Sequence, residues 1–295
     1  MAGCTVPPTS HRGRFAPSPT GPLHFGSLVA AVGSWLCARH ADGQWLLRME
    51  DLDPPREAPG AAADILAALD AFGLHADAPV LYQSQRHAAY DAAFARLQAD
   101  GHVFPCWCSR SDLAATHGLH RDGRCVASPA TDRPPAWRLR VPDIEVAFDD
   151  AVQGPQRQNL RQHVGDFVIR RVEGFYAYQL ACVVDDAFQG VTEVVRGHDL
   201  LDATPRQIWL QCLLGLPTPR YRHLPLALDA HGRKLSKSDG ACPVDAARPL
   251  PALRRALDFL GIPAGDAREP ADLLVYALAH FDPARLPRGA GRRIT

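Results

Sequence analysis

The apolar positions near the N-terminus recur with the spacing of a helix. They fall at i, i+3, i+4, i+7, i+10 and i+11, namely at Phe25, Leu28, Val29, Val32, Trp35 and Leu36. This period predicts an amphipathic α-helix. Shortly afterwards Leu46, Arg48 and Glu50 alternate onto one face of the segment 44–50, which indicates a β-strand.

Strand and helix patterns then alternate along most of the chain. A short strand at Arg14 and Phe15 precedes the first helix, and helical periods recur at about 59–72, 85–99, 203–214, 250–260 and 271–280. After an interruption the pattern resumes at 167–170 and in the segment 178–197, and a further strand is predicted at 224–228. Such alternation is typical of an α/β fold, a parallel sheet with crossover helices.

Residues 101–165 interrupt this alternation with a cysteine pair, a Pro-Pro step, a short strand at 137–141 and a hairpin-like stretch. We interpret them as an insertion. We expect residues 1–12 to form a flexible tail and 13–240 to form the main domain, with the insertion at about 101–165. Residues 241–295 are then expected to form a small helical stem.

The charge composition contains one unusual feature. The 295 residues carry 32 basic and 32 acidic side chains, so a strongly basic nucleic-acid-wrapping protein is excluded, although a local basic patch is not. Thirty of the basic residues are arginine, and the two lysines, Lys234 and Lys237, lie three residues apart. This pairing suggests a local need for ammonium groups, which act as compact, mobile point charges.

Other compositional features favour a soluble, cytoplasmic protein. No basic segment followed by an apolar run opens the chain, so we expect no signal peptide. The longest mostly apolar stretch, residues 25–38, is shorter than the ~20 residues that span a bilayer. The eight cysteines are irregularly spaced, unlike those of a secreted disulfide scaffold.

Two segments carry residues suited to binding phosphates. A turn rich in proline and glycine brings His24 and Gly26 to the predicted start of the first helix, where free N–H groups attract anions. The competing interpretation is a helix start with an exposed histidine. Later, residues 233–240 alternate basic and hydroxyl side chains, and this loop would place Lys234 and Lys237 on a polyphosphate. The competing interpretation there is a solvated basic loop.

Together these segments resemble the class I aminoacyl-tRNA synthetases. Residues 24–27 correspond to the His-Ile-Gly-His signature and residues 234–238 to the Lys-Met-Ser-Lys-Ser signature. The segments Arg-Phe-Ala-Pro-Ser-Pro-Thr-Gly (14–21), Arg-Met-Glu-Asp-Leu-Asp (48–53) and Arg-Gly-His-Asp (196–199) resemble glutamyl-tRNA synthetases more specifically. The resemblance covers residues 14–240 and implies a Rossmann-type catalytic domain.

Two departures narrow the resemblance. Ser27 stands where the signature has its last histidine, which leaves the phosphate contact mainly to His24. Only 57 residues follow Ser238, too few for an anticodon-reading region. The chain is thus similar to the glutamyl-Q tRNA(Asp) synthetase family, truncated relatives that attach glutamate to the queuosine base of tRNA(Asp). Residues 176–181 and 189–197 closely resemble that family.

The resemblance implies roles for individual residues. For glutamate, Arg14 and Arg196 match the carboxylate clamp, Glu50 faces the substrate ammonium, and the pocket is lined by Tyr178, Ala16 and Ser18. For ATP, the implied binding residues are His24, Gly26 and Lys237, with His24, Lys234 and Lys237 stabilising charge on the transferring phosphates and Mg²⁺ neutralising the pyrophosphate. No general base is evident.

Three cysteines form a candidate zinc site in the insertion. Cys106, Cys108 and Cys125 lie within 20 residues, a spacing at which thiolates can hold Zn²⁺ tetrahedrally. In the glutamyl-Q family the fourth ligand is a tyrosine, but the corresponding position holds Arg121, so His120 is the natural substitute and His117 a weaker one. Three reduced cysteines without a metal remain the alternative.

These expectations define the substrates and partners. We predict a monomeric ligase that uses L-glutamate, ATP and tRNA(Asp) bearing queuosine, without a membrane partner. A minimal glutamyl-tRNA synthetase that charges the tRNA 3′ end is the alternative within the enzyme class. A non-catalytic paralogue that only binds tRNA or a partner enzyme is the alternative outside it.

Overall fold

Parallel strands form the centre of the molecule. The computed structural model describes residues 10–109, 111–130, 132–233 and 243–294. The strands are β1 (Arg12–Phe15), β2 (Gln44–Met49), β3 (Leu81–Tyr82), β4 (Val103–Cys106), β5 (Ala136–Leu139), β6 (Glu145–Asp150), β7 (Gly154–Asn159), β8 (Phe167–Arg170), β9 (Glu193–Gly197), β10 (Arg220–Leu224), β11 (Leu226–Leu228) and β12 (Gly291–Arg293). The helices are α1 (Phe25–His40), α2 (Ala61–Ala71), α3 (His87–Ala99), α4 (Leu160–His163), α5 (Tyr178–Phe188), α6 (Thr204–Leu214), α7 (Pro249–Phe259) and α8 (Pro270–Ala279).

The predicted α/β architecture is confirmed. Strands β1, β2 and β3 are parallel neighbours, with Arg14 opposite Leu46 across the first pair. Strands β9 and β10 are also parallel, and β9 packs beside β1, where the Thr192 N–H donates to the Arg12 carbonyl at 2.9 Å. This order brings the carboxyl ends of β1, β2 and β9 to one edge, where ligands bind in open α/β sheets.

The first helix occurs where the sequence predicts it, but other elements cover it on both sides, so it does not present one buried apolar face and one exposed polar face. It contacts β1, β2 and β9 on one side and α7 and α8 on the other, so 11 of its residues are buried. Gly33 is part of this close packing, because a Cβ there would lie 2.6 Å from the Leu224 side chain. A helix covered on both sides buries residues between the predicted apolar positions, such as Ala31 and Ala38.

The region predicted as an insertion is more closely joined to the main sheet than expected. Strand β8, expected to resume the α/β pattern, is antiparallel to β5 in a three-stranded sheet with β4. The hairpin of β6 and β7, within the expected insertion, joins β10 through the parallel pairing of Asp150 with Tyr221. Strand alternation alone does not distinguish these partners, because pairing direction depends on how the loops return.

The C-terminal helices extend the same core. Leu253 and Leu257 of α7 and Leu273 of α8 are fully buried in the cluster that also contains α1, and β12 pairs with β11. The expected boundary at residue 240 lies outside the described residues, as do residues 1–9 of the expected tail, so both stay predictions. No helix in the described part of the chain combines the length and apolar character that crossing a bilayer requires.

Candidate active site

One cavity collects the predicted site residues. It measures about 550 Å³ and lies at the carboxyl ends of β1, β2 and β9. Its lining includes every predicted glutamate and ATP residue that the structure describes, namely Arg14, Ala16, Ser18, His24, Gly26, Glu50, Tyr178 and Arg196. The other two, Lys234 and Lys237, lie outside the described residues.

The turn after β1 places His24 at the start of α1. His24 is the residue that precedes the helix, and its Nδ1 accepts the Ser27 N–H at 3.2 Å. The Ser27 hydroxyl lies 2.9 Å from His24 Nε2, so the serine that replaces the signature's last histidine contacts the first one. A Cβ at Gly26 would lie 3.3 Å from the His24 ring. Glycine avoids this close contact and leaves the first turn of the helix accessible to a ligand.

Backbone hydrogen bonds fix the turn that carries Ala16 and Ser18. The Glu50 N–H donates to the Pro17 carbonyl at 2.9 Å, and the Ala58 N–H donates to the Pro19 carbonyl at 2.9 Å. The end of β2 and the segment before α2 therefore hold the turn against the cavity. This arrangement links Glu50 to the strand that carries Arg14.

Arg14 is already paired within the protein. Its Nε donates to Asp186 Oδ1 at 3.1 Å and its Nη2 to Asp186 Oδ2 at 3.4 Å. Arg48, fully buried, donates to the same Asp186 Oδ1 at 2.7 Å and to Gln189 at 2.8 Å. Although burial opposes ionisation of Asp186, the two guanidinium groups hold the pKa of its carboxyl well below the usual range.

Sequence reasoning missed Asp186 and its contact with Arg48. The available signal was the pair of acids inside the otherwise apolar segment Leu180–Phe188, because a buried carboxylate requires a cation. The neighbouring acid, Asp185, accepts hydrogen bonds from Gln83 at 2.9 Å, Tyr90 at 2.6 Å and Arg86 at 3.1 Å. The two adjacent acids thus anchor α5 to two different parts of the fold.

Glu50 lies at the end of β2 beside these cations. Its carboxylate is 3.5 Å from Arg48 Nη2. Burial raises the pKa of the Glu50 carboxyl, and the charges of Arg48 and Arg14 act in the opposite direction. A cavity-lining carboxylate with little access to water is suited to receive an ammonium group.

The guanidinium of Arg196 is fully hydrogen-bonded within the protein, unlike that of an arginine whose donors all wait for a substrate carboxylate. Its five N–H donors match five partners: His223 Nε2 at 2.9 Å, the Tyr178 hydroxyl at 3.1 Å, Gln207 at 2.8 Å, Thr204 at 2.8 Å and the Leu200 carbonyl at 3.3 Å. Of the side chains in this set, only that of Tyr178 belongs to a residue that lines the cavity. Burial raises the pKa of Tyr178, which keeps its hydroxyl protonated.

The predicted cysteines do come together. The Sγ atoms of Cys106, Cys108 and Cys125 all lie within 4.8 Å of one another, and those of Cys108 and Cys125 are 3.7 Å apart. Zinc–sulfur bonds of about 2.3 Å in a tetrahedron require sulfur atoms about 3.8 Å apart. The Trp107 N–H donates to Cys125 at 3.2 Å, and Arg138 Nε donates to Cys106 at 3.3 Å. The three sulfurs therefore fit a zinc ion.

The predicted fourth ligands are not part of this cluster. Within the described residues, no histidine, aspartate or glutamate completes a group with all three sulfurs at that spacing. His120 is buried, with Nδ1 2.8 Å from Asp166 and its ring beside Phe104. His117 ends a short 3₁₀ turn in a left-handed conformation. His120 Nε2 has no hydrogen-bond partner among the described residues, but it lies outside the group of three sulfurs. The contact of Nδ1 with Asp166 is compatible with zinc binding through Nε2, so the identity of the fourth ligand stays a prediction.

Comparisons with known proteins agree with this geometry. The family model described as tRNA synthetases class I (E and Q), catalytic domain, matches residues 11–262. A glutamyl-Q tRNA(Asp) synthetase from Xanthomonas campestris pv. campestris is 59% identical over 284 residues, covering 95% of this chain and 94% of the relative. One from Neisseria meningitidis is 51% identical over 290 residues, covering 95% and 98%.

A solved structure gives the same fold. The crystal structure of a glutamate tRNA ligase from Elizabethkingia meningosepticum in complex with its amino acid aligns with a TM-score of 0.80 at 25% identity, covering 97% of this chain and 67% of that one. The family match spans most of the chain, and the relatives are matched over nearly their full length. The chain therefore belongs to the class I tRNA synthetases of the E and Q group, in the glutamyl-Q tRNA(Asp) synthetase family.

Proposed function

We propose that the protein activates L-glutamate with ATP and transfers the glutamyl group to the queuosine base of tRNA(Asp). The observation that carries this proposal is the single cavity in which a helix N-terminus with His24 and Gly26 meets Arg14, Glu50 and Arg196. The helix N-terminus with His24 and Gly26 suits phosphates. Arg14, Glu50 and Arg196 suit an amino acid with two carboxylates. The activity named for the relatives supports the same substrates.

The charges of the cavity complement those of glutamate. Glutamate carries two carboxylates and one ammonium, and the cavity lining carries Arg14, Arg196 and Glu50. Asp186 holds the Nε and Nη2 atoms of Arg14, and among the described residues its Nη1 has no hydrogen-bond partner. We assign this Nη1 to one substrate carboxylate and Glu50 to the ammonium. The second carboxylate is assigned to the Tyr178 hydroxyl and to the one Arg196 Nη1 donor that faces it, which turns from Tyr178 to the substrate.

The activation step is a nucleophilic displacement at the α-phosphorus of ATP. An oxygen of the glutamate α-carboxylate forms a bond to the α-phosphorus of ATP, and pyrophosphate leaves as the bond to its bridging oxygen breaks. His24 and the free N–H groups of the first turn of α1 stabilise charge on these phosphates. By resemblance, Lys234 and Lys237 contribute further positive charge, and Mg²⁺ enters with ATP. An RNA nucleophile then attacks the carbonyl carbon of the adenylate, and AMP leaves.

Zinc has a structural role in this proposal. Cys106, Cys108 and Cys125 hold one Zn²⁺, which links the end of β4 to the loop before β5. Zinc bound there would stabilise the described residues between 107 and 135, which have little regular structure. We assign the ion no part in adenylate formation, because none of these cysteines lines the cavity.

An arginine-rich surface supports an RNA partner. A second cavity of about 320 Å³ is lined by Arg254, Arg255, Arg292 and Arg293 and by a single acid, Asp258. Within the described residues none of these four arginines forms an ion pair. Four arginines against one acid give this surface a net positive charge, which favours a polyanion such as the tRNA backbone.

We also propose that the protein acts as a monomer. Because its proposed substrates are ATP and tRNA, we propose that the protein acts in the cytoplasm. Both assignments belong to the proposal, and light scattering in solution tests the first.

Two assays test the proposed reaction. ATP–pyrophosphate exchange should depend on glutamate and should be much weaker with glutamine, which lacks the second carboxylate. It should also be weaker with aspartate, whose side chain is one methylene shorter and holds its two carboxylates closer together. Absence of exchange both with and without tRNA would support a non-catalytic, tRNA-binding paralogue instead.

Mapping the acylated nucleotide separates the two enzymatic alternatives. The structural similarity to a glutamate tRNA ligase favours charging of the tRNA 3′ end as the second candidate. After transfer of labelled glutamate, nuclease digestion should place the label on the queuosine nucleotide. Label on the 3′-terminal adenosine would refute the proposed acceptor.

A further inference from the structure

A buried histidine and aspartate lie directly behind Arg196. His223 is on β10 beside Arg196 of β9, and Asp150 ends β6 on the other side of β10. His223 Nδ1 is 2.6 Å from Asp150 Oδ2, and both side chains are completely buried. Neither residue lines the cavity, and sequence reasoning assigned neither a role.

The hydrogen-bond partners determine the charge and tautomer of His223. Arg196 Nε is only a donor, so His223 Nε2, at 2.9 Å from it, must be the acceptor. The imidazole proton therefore resides on Nδ1 and is donated to Asp150. Asp150 is fixed as an anion, because its Oδ1 accepts the N–H groups of Val152 at 3.0 Å and Gln153 at 2.8 Å. These bonds and His223 hold the pKa of its carboxyl below the usual value, although burial acts against them.

We propose that Asp150 and His223 are positioning residues that set the orientation of the Arg196 guanidinium toward the substrate carboxylate. The inference rests on the proposed function, because it assigns a purpose to the Arg196 that binds glutamate. Asp150 orients the imidazole, the imidazole accepts the Nε–H of Arg196, and Gln207 and Thr204 hold two further N–H donors. With these fixed, the remaining Nη1 donor faces the hydroxyl of Tyr178, the one side chain among the described partners that belongs to a cavity-lining residue.

This arrangement makes glutamate binding sensitive to acid. A proton on His223 Nε2 would face the Arg196 Nε–H, so the contact would change from a hydrogen bond into a repulsion between two cations. The groups that surround the imidazole are Asp150 from β6, Arg196 from β9, His198 after β9, Thr204 from α6 and the stacked Tyr221 ring on β10. Burial, which lowers the pKa of His223, is opposed by Asp150 and reinforced by Arg196. Neutral His223 therefore persists at neutral pH, and glutamate affinity should fall as the pH drops below that pKa.

Two substitutions at one position separate orientation from simple disruption. In His223→Asn the side-chain amide retains a donor near the position of Nδ1 for Asp150 but has no acceptor near Nε2 for Arg196. His223→Gln extends an amide oxygen to the position of Nε2, so it restores the acceptor. In ATP–pyrophosphate exchange we expect His223→Asn to raise KM for glutamate about 10- to 100-fold, with KM for ATP unchanged within about twofold. His223→Gln should recover most of that loss.

The pH profile gives a second readout. In the wild-type protein KM for glutamate should rise as the pH is lowered, whereas His223→Gln should lack this rise. A wild-type KM for glutamate in His223→Asn, equal losses in both variants, or an unchanged acid limb in His223→Gln would each overturn the inference. If His223→Asn fails to fold, Asp150→Asn replaces it, with the same expected selective rise in KM for glutamate.

A wrong assignment of His223 can be told apart from a wrong proposed function. Wild-type exchange with glutamate must be present before the variants are compared, and its absence refutes the proposed reaction rather than the role of His223. The tautomer is measurable without activity: ¹⁵N NMR of the imidazole should show a neutral ring protonated on Nδ1. A ring protonated on Nε2 would overturn the inference even in an active enzyme.

Discussion

Replacement of Asp186 by asparagine should strongly destabilise the protein. Asp186 is the shared anion between Arg14 and Arg48, which lie on adjacent strands, and it accepts three charge-assisted hydrogen bonds of 2.7 to 3.4 Å. The side chains of all three residues are at most 6% exposed. Asparagine keeps the shape but loses the charge and one acceptor oxygen. Arg14 would then lose its paired anion, and Arg48 would keep only the Glu50 carboxylate at 3.5 Å.

The expected magnitude follows from this burial. Removing one partner of a buried ion pair costs about 3–5 kcal/mol in the free energy of unfolding. For a chain of 295 residues that loss corresponds to a decrease in Tm of roughly 5–8 °C. The nearby Cys182 thiol does not replace the anion, because burial raises its pKa to about 11 and it stays neutral.

Urea denaturation at pH 7, followed by circular dichroism, measures the effect. Asp132→Asn is a matched control, since Asp132 is exposed and should change the free energy of unfolding by less than about 0.5 kcal/mol. A loss below about 1 kcal/mol in Asp186→Asn, similar to that in the control, would refute the view that this carboxylate neutralises the two arginines.

The pH dependence of the free energy of unfolding tests independently whether Asp186 stabilises the protein as a carboxylate. The folded-state pKa of Asp186 is depressed, so its contribution to stability is complete above the unfolded pKa of about 3.9 and is lost as pH falls through the folded value. The difference in stability between wild type and Asp186→Asn should thus be constant between pH 7 and about 5 and should shrink below about pH 4. A difference that is unchanged down to pH 3 would contradict the assignment.

Three further predictions concern substrate, metal and RNA. Glu50→Gln should raise KM for glutamate in exchange assays about 10- to 100-fold, since an ammonium loses a charged partner, while an unchanged KM would exclude Glu50 from the amino-acid site. Elemental analysis of protein purified without chelator should find one zinc per chain, and Cys108→Ser should lose it; active, folded wild-type protein without zinc would disprove the site. The double variant Arg255→Glu, Arg293→Glu should weaken tRNA binding and lower the slope of log Kd against log salt by about 2, with pyrophosphate exchange unchanged as the control. Unaltered binding in that variant would exclude the arginine-lined cavity from the RNA interface.

The sequence by itself determined the local elements and the residues that carry the chemistry. The periodicity of apolar residues located α1 and the later helices closely, because helical spacing depends only on neighbours along the chain. The motifs identified a set of eight described residues that the structure places around one cavity. Cysteine spacing likewise identified three sulfurs that come together.

Only the tertiary structure decided how those residues are held. Arg14 and Asp186 are 172 positions apart, and Asp150 and His223 are 73 apart, so their contacts depend on packing of α5 beside β1 and on pairing of β6 with β10. The same dependence explains the contact of His120 with Asp166, 46 positions away, and why cysteine spacing alone does not specify a fourth zinc ligand. A motif specifies which groups are available, but burial requires every charge to find a partner, and those partners are chosen by the folded chain.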